Sequence, residues 1–100
     1  MKSSVRDHGD IRVIELSGKI TIGGGDVKVR ELVSQALDDE KKDILFDLGG
    51  VTAIDSSGIG EMVACYTTVT KRGGQLKLMH LSPKITDILQ VTQLITVFDV

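Results

Sequence analysis

Residues 47–61 read D-L-G-G-V-T-A-I-D-S-S-G-I-G-E and hold the chain's one dense cluster of acidic, hydroxyl and glycine residues. The run I-L-F-D-L leading into it has the β-branched and large apolar character of a buried strand. The run M-V-A-C-Y-T-T-V that follows repeats its apolar residues at helical spacing. The stretch is therefore a strand-to-helix turn. Such a turn gathers backbone N–H groups and hydroxyls at the positive end of a helix, where anionic groups are well held.

Upstream, residues 4–6 and 11–16 are short β-like segments, and D-H-G-D between them, with Gly9, closes a hairpin. In the second segment Arg12, Ile14 and Leu16 share one face and Ile11, Val13 and Glu15 the other, as in an interior strand with incomplete coverage. Residues 17–26, S-G-K-I-T-I-G-G-G-D, read as a glycine-rich loop ending at Asp26 as a helix N-cap. Val29, Leu32, Val33, Ala36 and Leu37 then mark an amphipathic helix that stops at D-D-E-K-K-D. Residues 44–48 form the central strand, and residues 51–54 carry the chain from it into the Asp55 turn.

Downstream, Ile59, Met62, Val63, Tyr66 and Val69 form the stripe of a second helix, closed by K-R-G-G with Gly73 as its stop. Residues 75–81 form another strand. Ser82 and Pro83 start a third helix with Ile85, Ile88 and Leu89 on its apolar face, and the tail V-F-D-V supplies a last short strand. This order predicts an α/β sandwich: a mixed β-sheet of four to five strands covered mainly on one side by α-helices. The chain has 100 residues, 41% of them hydrophobic, which suits one domain over residues 1–100.

Composition narrows the ligands. Aromatic residues make up 3%, and the net charge of −2 comes from 12 basic and 14 acidic residues without long runs, so neither a base-stacking platform nor a basic stripe for nucleic acid is expected. Cys65 is the single cysteine, and M-K-S-S-V-R-D-H lacks the apolar stretch of a signal peptide, which predicts a cytoplasmic protein. No run approaches the roughly 20 apolar residues of a membrane span, so no direct membrane contact is expected.

Catalytic and metal chemistry find little support. Gly18-Lys19 and Gly23–Gly25 lack the spacing of a phosphate-binding loop, His8 and His80 have no ligand-spaced companions, and mid-helix Cys65 reads as a packing residue. No cofactor and no metal are expected, and the chain does not read as an enzyme. Asp47 and Asp55 allow two readings. Either one is a phosphoacceptor or metal ligand, although the first strands offer only Glu15 as an acidic companion, or Asp47 bonds nearby backbone and Asp55 caps the second helix. The turn Asp55-Ser56-Ser57-Gly58-Ile59-Gly60 likewise reads as a cap followed by tight packing, or as a surface where glycines admit another backbone and a serine hydroxyl is presented. Ile59 faces either the core or a partner, and its place in the stripe favours the core.

D-L-G-G-V-T-A-I-D-S-S-G-I-G resembles the signature of the STAS domain, specifically its stand-alone bacterial anti-anti-sigma factors, also called anti-sigma factor antagonists. The similarity extends to L-S-G-K-I, R-G-G-Q-L-K-L and L-I-T-V-F-D-V, and so covers nearly the whole chain. The resemblance implies that Ser57, the second serine of D-S-S-G, accepts phosphate from an anti-sigma factor that is itself a serine kinase, with Ser56 as the fallback. It implies a contact surface of Thr21, Asp55, Ser56, Gly58, Ile59 and Gly60, and a serine phosphatase as the second partner. Thr21 stands where family members often carry an Asp, and the G-G-G after it is unusual among them. A second class of function is a non-switching STAS module that scaffolds a larger signalling or lipid-transport complex. A third is small-ligand or nucleotide binding through Gly23–Gly25 and the Asp55 turn.

Overall fold

The computed structural model describes residues 1–91, with side chains through Ile88. Leu89 as an apolar contact of the third helix and the terminal strand expected at residues 97–100 lie outside the described residues.

Strand β1 (Lys2–His8) pairs antiparallel with β2 (Ile11–Ile20), and His8 faces Ile11 across the turn. Gly9, at φ +61°, takes the first central position of that turn, where a two-residue hairpin of the II′ kind requires a positive φ. Strand β3 (Asp43–Ile54) runs parallel to β2, and β4 (Gln75–Met79) runs parallel to β3, giving the order β1-β2-β3-β4. Parallel neighbours need crossovers, and helices α1 (Gly25–Asp38) and α2 (Ser56–Lys71) supply them. Helix α3 (Pro83–Val91) follows β4, and the Ser82 hydroxyl accepts the Ile85 N–H at 3.2 Å, the cap expected from Ser-Pro.

One face of the sheet is sealed. Ile14 and Leu16 of β2, Ile44, Phe46 and Leu48 of β3, and Leu76 and Leu78 of β4 are buried with Val29, Val33, Ala36 and Leu37 of α1, Met62, Cys65 and Val69 of α2, and Ile85 of α3. The alternate residues Gln75 and Lys77 are exposed, and Leu45 and Asp47 are half-buried. The expected mixed sheet with helices mainly on one side is the observed architecture.

The structure corrects several boundaries. β2 continues to Ile20 through two register shifts, because Ile20 is fully buried opposite Ile54 while Gly18, at φ +93°, absorbs the irregularity. β3 is one strand through Gly49 and Gly50; a Cβ on Gly50 would lie 2.6 Å from Ser17 Cβ, so glycine keeps the two strands in contact. Gly24, not Asp26, is the N-cap of α1, and the Asp26 carboxylate instead accepts the Val27 N–H at 2.8 Å. β4 stops at Met79, since His80 turns to φ +58°.

Arg12, on the helix-facing side of β2, is buried as a clamp and not left uncovered. Its Nε and Nη2 donate to the Asp7 carboxylate at 2.8 and 3.1 Å, and its Nη1 donates to Asp39 Oδ2 at 2.8 Å, tying the hairpin to the C-terminal end of α1. These hydrogen bonds hold both carboxyls below their ordinary range. A carboxyl with a depressed folded-state pKa contributes stability above its unfolded value, near pH 4, and loses it as pH falls through the lower folded value. Arg12→Met is therefore expected to melt earlier than the parent at pH 7, with the gap closing below about pH 4 in melts followed by circular dichroism.

Candidate functional site

Parallel pairing of β2 and β3 sets Ile20 beside Ile54, so the turns after both strands are neighbours and α1 and α2 start at the same end of the sheet. Asp55 joins the two turns. Its Oδ1 accepts the Gly58 N–H at 2.8 Å, which caps α2, and its Oδ2 accepts the Ile22 N–H at 3.0 Å from the other turn. Its own N–H donates to the Ile20 carbonyl at 3.3 Å, and its carbonyl receives the Ile59 N–H at 2.9 Å. The Ile22 N–H first, and the Gly58 N–H next, hold the carboxyl below its usual range. The capping reading of Asp55 is the observed one, and no group of three metal-binding side chains occurs among the described residues.

The remaining turn residues separate by orientation. Ser56 is exposed and Ser57 half-buried in the first turn of α2; Gly60 is exposed with nothing near the place a Cβ would occupy. Thr21 is half-buried between Ile20 and Ile22, with its carbonyl accepting the Asp26 N–H at 3.2 Å. Gly58 turns inward: a Cβ there would lie 2.1 Å from the Ile20 carbonyl oxygen and 2.9 Å from side-chain carbons of Ile20 and Ile54. The backbone that Gly58 admits is this chain's own β2, which corrects its placement on a contact surface. Its inward position also sets the roll of α2, since Gly58, Met62, Cys65 and Val69 form the buried line. Val63 and Tyr66 consequently flank the core, and Ile59 is half-buried outside it, contrary to the core placement expected from the stripe.

Ile22, 73% exposed, and Val27, 40% exposed, add apolar surface beside the turn. An apolar residue set between Thr21 and the glycine run was the available sequence signal for Ile22. Lower down, Arg30 Nε of α1 meets Glu61 Oε1 of α2 at 3.1 Å over a groove of about 350 Å³. Burial, then the Glu61 carboxylate, pushes the Cys65 thiol up to about 12, which keeps it a protonated packing group.

Asp47 lies apart from this turn, opposite Met79. Its Oδ1 accepts the Gly49 N–H at 3.0 Å, as expected, and also meets His80 Nδ1 at 3.0 Å. Burial pushes this carboxyl up, but the Gly49 N–H and His80 together hold it below its usual range. The His80 contact depends on the β3–β4 register and has no local sequence signal.

A mixed sheet, four-stranded among the described residues, carrying a serine-bearing helix start beside a crossover loop defines the class of fold, and the STAS domain pattern matches residues 2–100. The chain belongs to the STAS domain family. It is 30% identical over 95 residues to the anti-sigma-B factor antagonist of Bacillus subtilis (strain 168), covering 95% of this chain and 84% of that one. Among solved structures, an anti-sigma factor antagonist from Mycobacterium paratuberculosis superposes with a TM-score of 0.83 at 22% identity, covering 97% of this chain and 81% of that one. The Bacillus cell fate determinant SpoIIAA in its phosphorylated form superposes with a TM-score of 0.73 at 20% identity, covering 93% and 85%.

Proposed function

We propose that this chain is an anti-sigma factor antagonist that works in the cytoplasm by partner switching. Unphosphorylated, it binds a serine-kinase anti-sigma factor and so frees a sigma factor. The kinase transfers the γ-phosphoryl group of ATP to Ser57 Oγ, with loss of the hydroxyl proton and release of ADP, and binding ends. A serine phosphatase hydrolyses the phosphoester and restores the binding form. The observation that carries this reading is the position of Ser57: it lies in the first turn of a helix whose cap, Asp55, is tied to the loop bearing exposed Ile22. The kinship with the antagonist from Bacillus subtilis supports the role, and the existence of a phosphorylated form of SpoIIAA supports the switch.

Thr21, Asp55, Ser56, Ile59 and Gly60, with Ile22 and Val27, make the contact surface in this reading. Incubation with the cognate kinase and Mg-ATP, followed by intact-mass and fragment analysis, tests it. One added phosphoryl group on Ser57, absent from Ser57→Ala, is expected. A label that follows Ser56 would move the acceptor by one residue. No label on either serine would favour the non-switching scaffold.

A further inference from the structure

Arg30 and Glu61 are each the sixth residue of their helix, and Asp26 and Ser57 are each the second. Both helices start at the same end of the sheet, and the Arg30–Glu61 contact at 3.1 Å joins them across the sixth residue of each. Ser57 precedes Glu61 by four residues on α2, and Asp26 precedes Arg30 by four on α1, so each lies on the inner side of its helix about 6 Å nearer the N-terminus. The Asp26 carboxylate is close enough to act on the Arg30 charge, and the Ser57 N–H is close enough to act on Asp55. A phosphoryl group on Ser57 would thus stand among three carboxylates, those of Asp26, Asp55 and Glu61, with Arg30 as the cation on the same side.

From this arrangement we infer that Arg30 is the receptor for the Ser57 phosphate: on phosphorylation its guanidinium leaves Glu61 and moves one helical turn to pair with the phosphoryl oxygens. The inference rests on the proposed phosphorylation of Ser57 and adds how the mark is held. The Arg30 side chain is 60% exposed and is fixed at its tip by one carboxylate, so it is free to change rotamer. A phosphate dianion offers three acceptor oxygens and about −1.5 to −2 charges against one for Glu61, and a guanidinium pairs with it bidentately. Lys28, two residues from Arg30, projects from another side of α1, and Lys19 sits on β2 next to buried Ile20 and so points to the opposite sheet face. The exchange leaves Glu61, whose side chain is 14% exposed, without its cation and alters the groove between α1 and α2.

The test places phosphoserine at position 57 by genetic encoding, so that it needs no kinase, and follows the phosphate by ³¹P NMR through pH. Arg30→Gln is expected to raise the second pKa of the phosphoserine by about half a unit or more, and Glu61→Gln, which frees Arg30, to lower it. Lys28→Gln is expected to leave it unmoved. Because Arg30 is exposed, its loss should leave the fold intact, which the amide spectrum of the same sample checks. A pKa unchanged by Arg30→Gln, or moved equally by Lys28→Gln, overturns the inference. If the kinase labels Ser57 and Arg30→Gln moves nothing, the phosphate receptor fails alone. If the encoded phosphate pairs with Arg30 and no kinase labels Ser57, the switching function fails alone.

Discussion

Gly58→Ala is expected to lower the stability of the domain by about 3 kcal/mol, while Gly60→Ala, two residues away in the same helix, is expected to raise it by roughly 0.5–1 kcal/mol. Both changes replace glycine by the best helix former and gain the same backbone term. They differ in what the new methyl meets. At Gly60 it meets solvent. At Gly58 it would come within 2.1 Å of the Ile20 carbonyl oxygen, which is backbone held in the sheet and bonded to the Asp55 N–H. Relief requires α2 to move away from β2, which stretches the Asp55 cap and opens the line of Met62, Cys65 and Val69. In a domain of this size each kcal/mol moves the melting temperature by about 4–8 °C, so the two variants should fall on opposite sides of the parent by calorimetry. Equal melting temperatures for the two would mean that Gly58 is not what fixes the roll of α2.

That pair of glycines also shows what sequence alone can deliver. D-S-S-G-I-G fixes the helix start, and the strand character of I-L-F-D-L before it places the turn at the end of a buried strand. Both follow from neighbours along the chain. Which glycine faces inward depends on β2 lying parallel to β3 in one register, and no residue within the motif carries that information. The same reason hides the second arm of Asp55 to Ile22, the Arg30–Glu61 pair and the Asp47–His80 contact, which join residues 33, 31 and 33 positions apart. Residues 17–20 read as a loop because Gly18 and Ser17 dominate their composition, whereas full burial of Ile20 keeps them in the sheet. Arg12 was legible as a charge on an otherwise apolar face. Its burial was not, since Asp7 and Asp39 arrive from two different elements.

Ser57→Asp is expected to weaken binding to the cognate anti-sigma factor by about 100-fold or more and to shift the melting temperature by no more than a few degrees. The two effects separate because the serine hydroxyl makes no hydrogen bond among the described residues, so its replacement removes no hydrogen bond from the fold. A carboxylate in the first turn of α2 gains from the helix dipole, on the order of 0.3–1 kcal/mol, and meets opposing repulsion of similar size from neighbouring carboxylates. These nearly cancel while the turn is in water. In the interface proposed above, water would no longer screen the repulsion between residue 57 and Asp55, and an extra anion would have to be desolvated against a partner shaped for a neutral hydroxyl. Two orders of magnitude in Kd correspond to about 2.8 kcal/mol, within the range of one uncompensated charge at an interface. Ser57→Ala, of nearly the parent's size and without a phosphoacceptor, should bind within about threefold of the parent and keep binding in the presence of ATP. Titration calorimetry against the kinase, with melts of the same samples, reads both quantities. An Asp variant that is unfolded, or one that is folded and binds as tightly as the parent, would remove charge at residue 57 as the basis of the proposed switch.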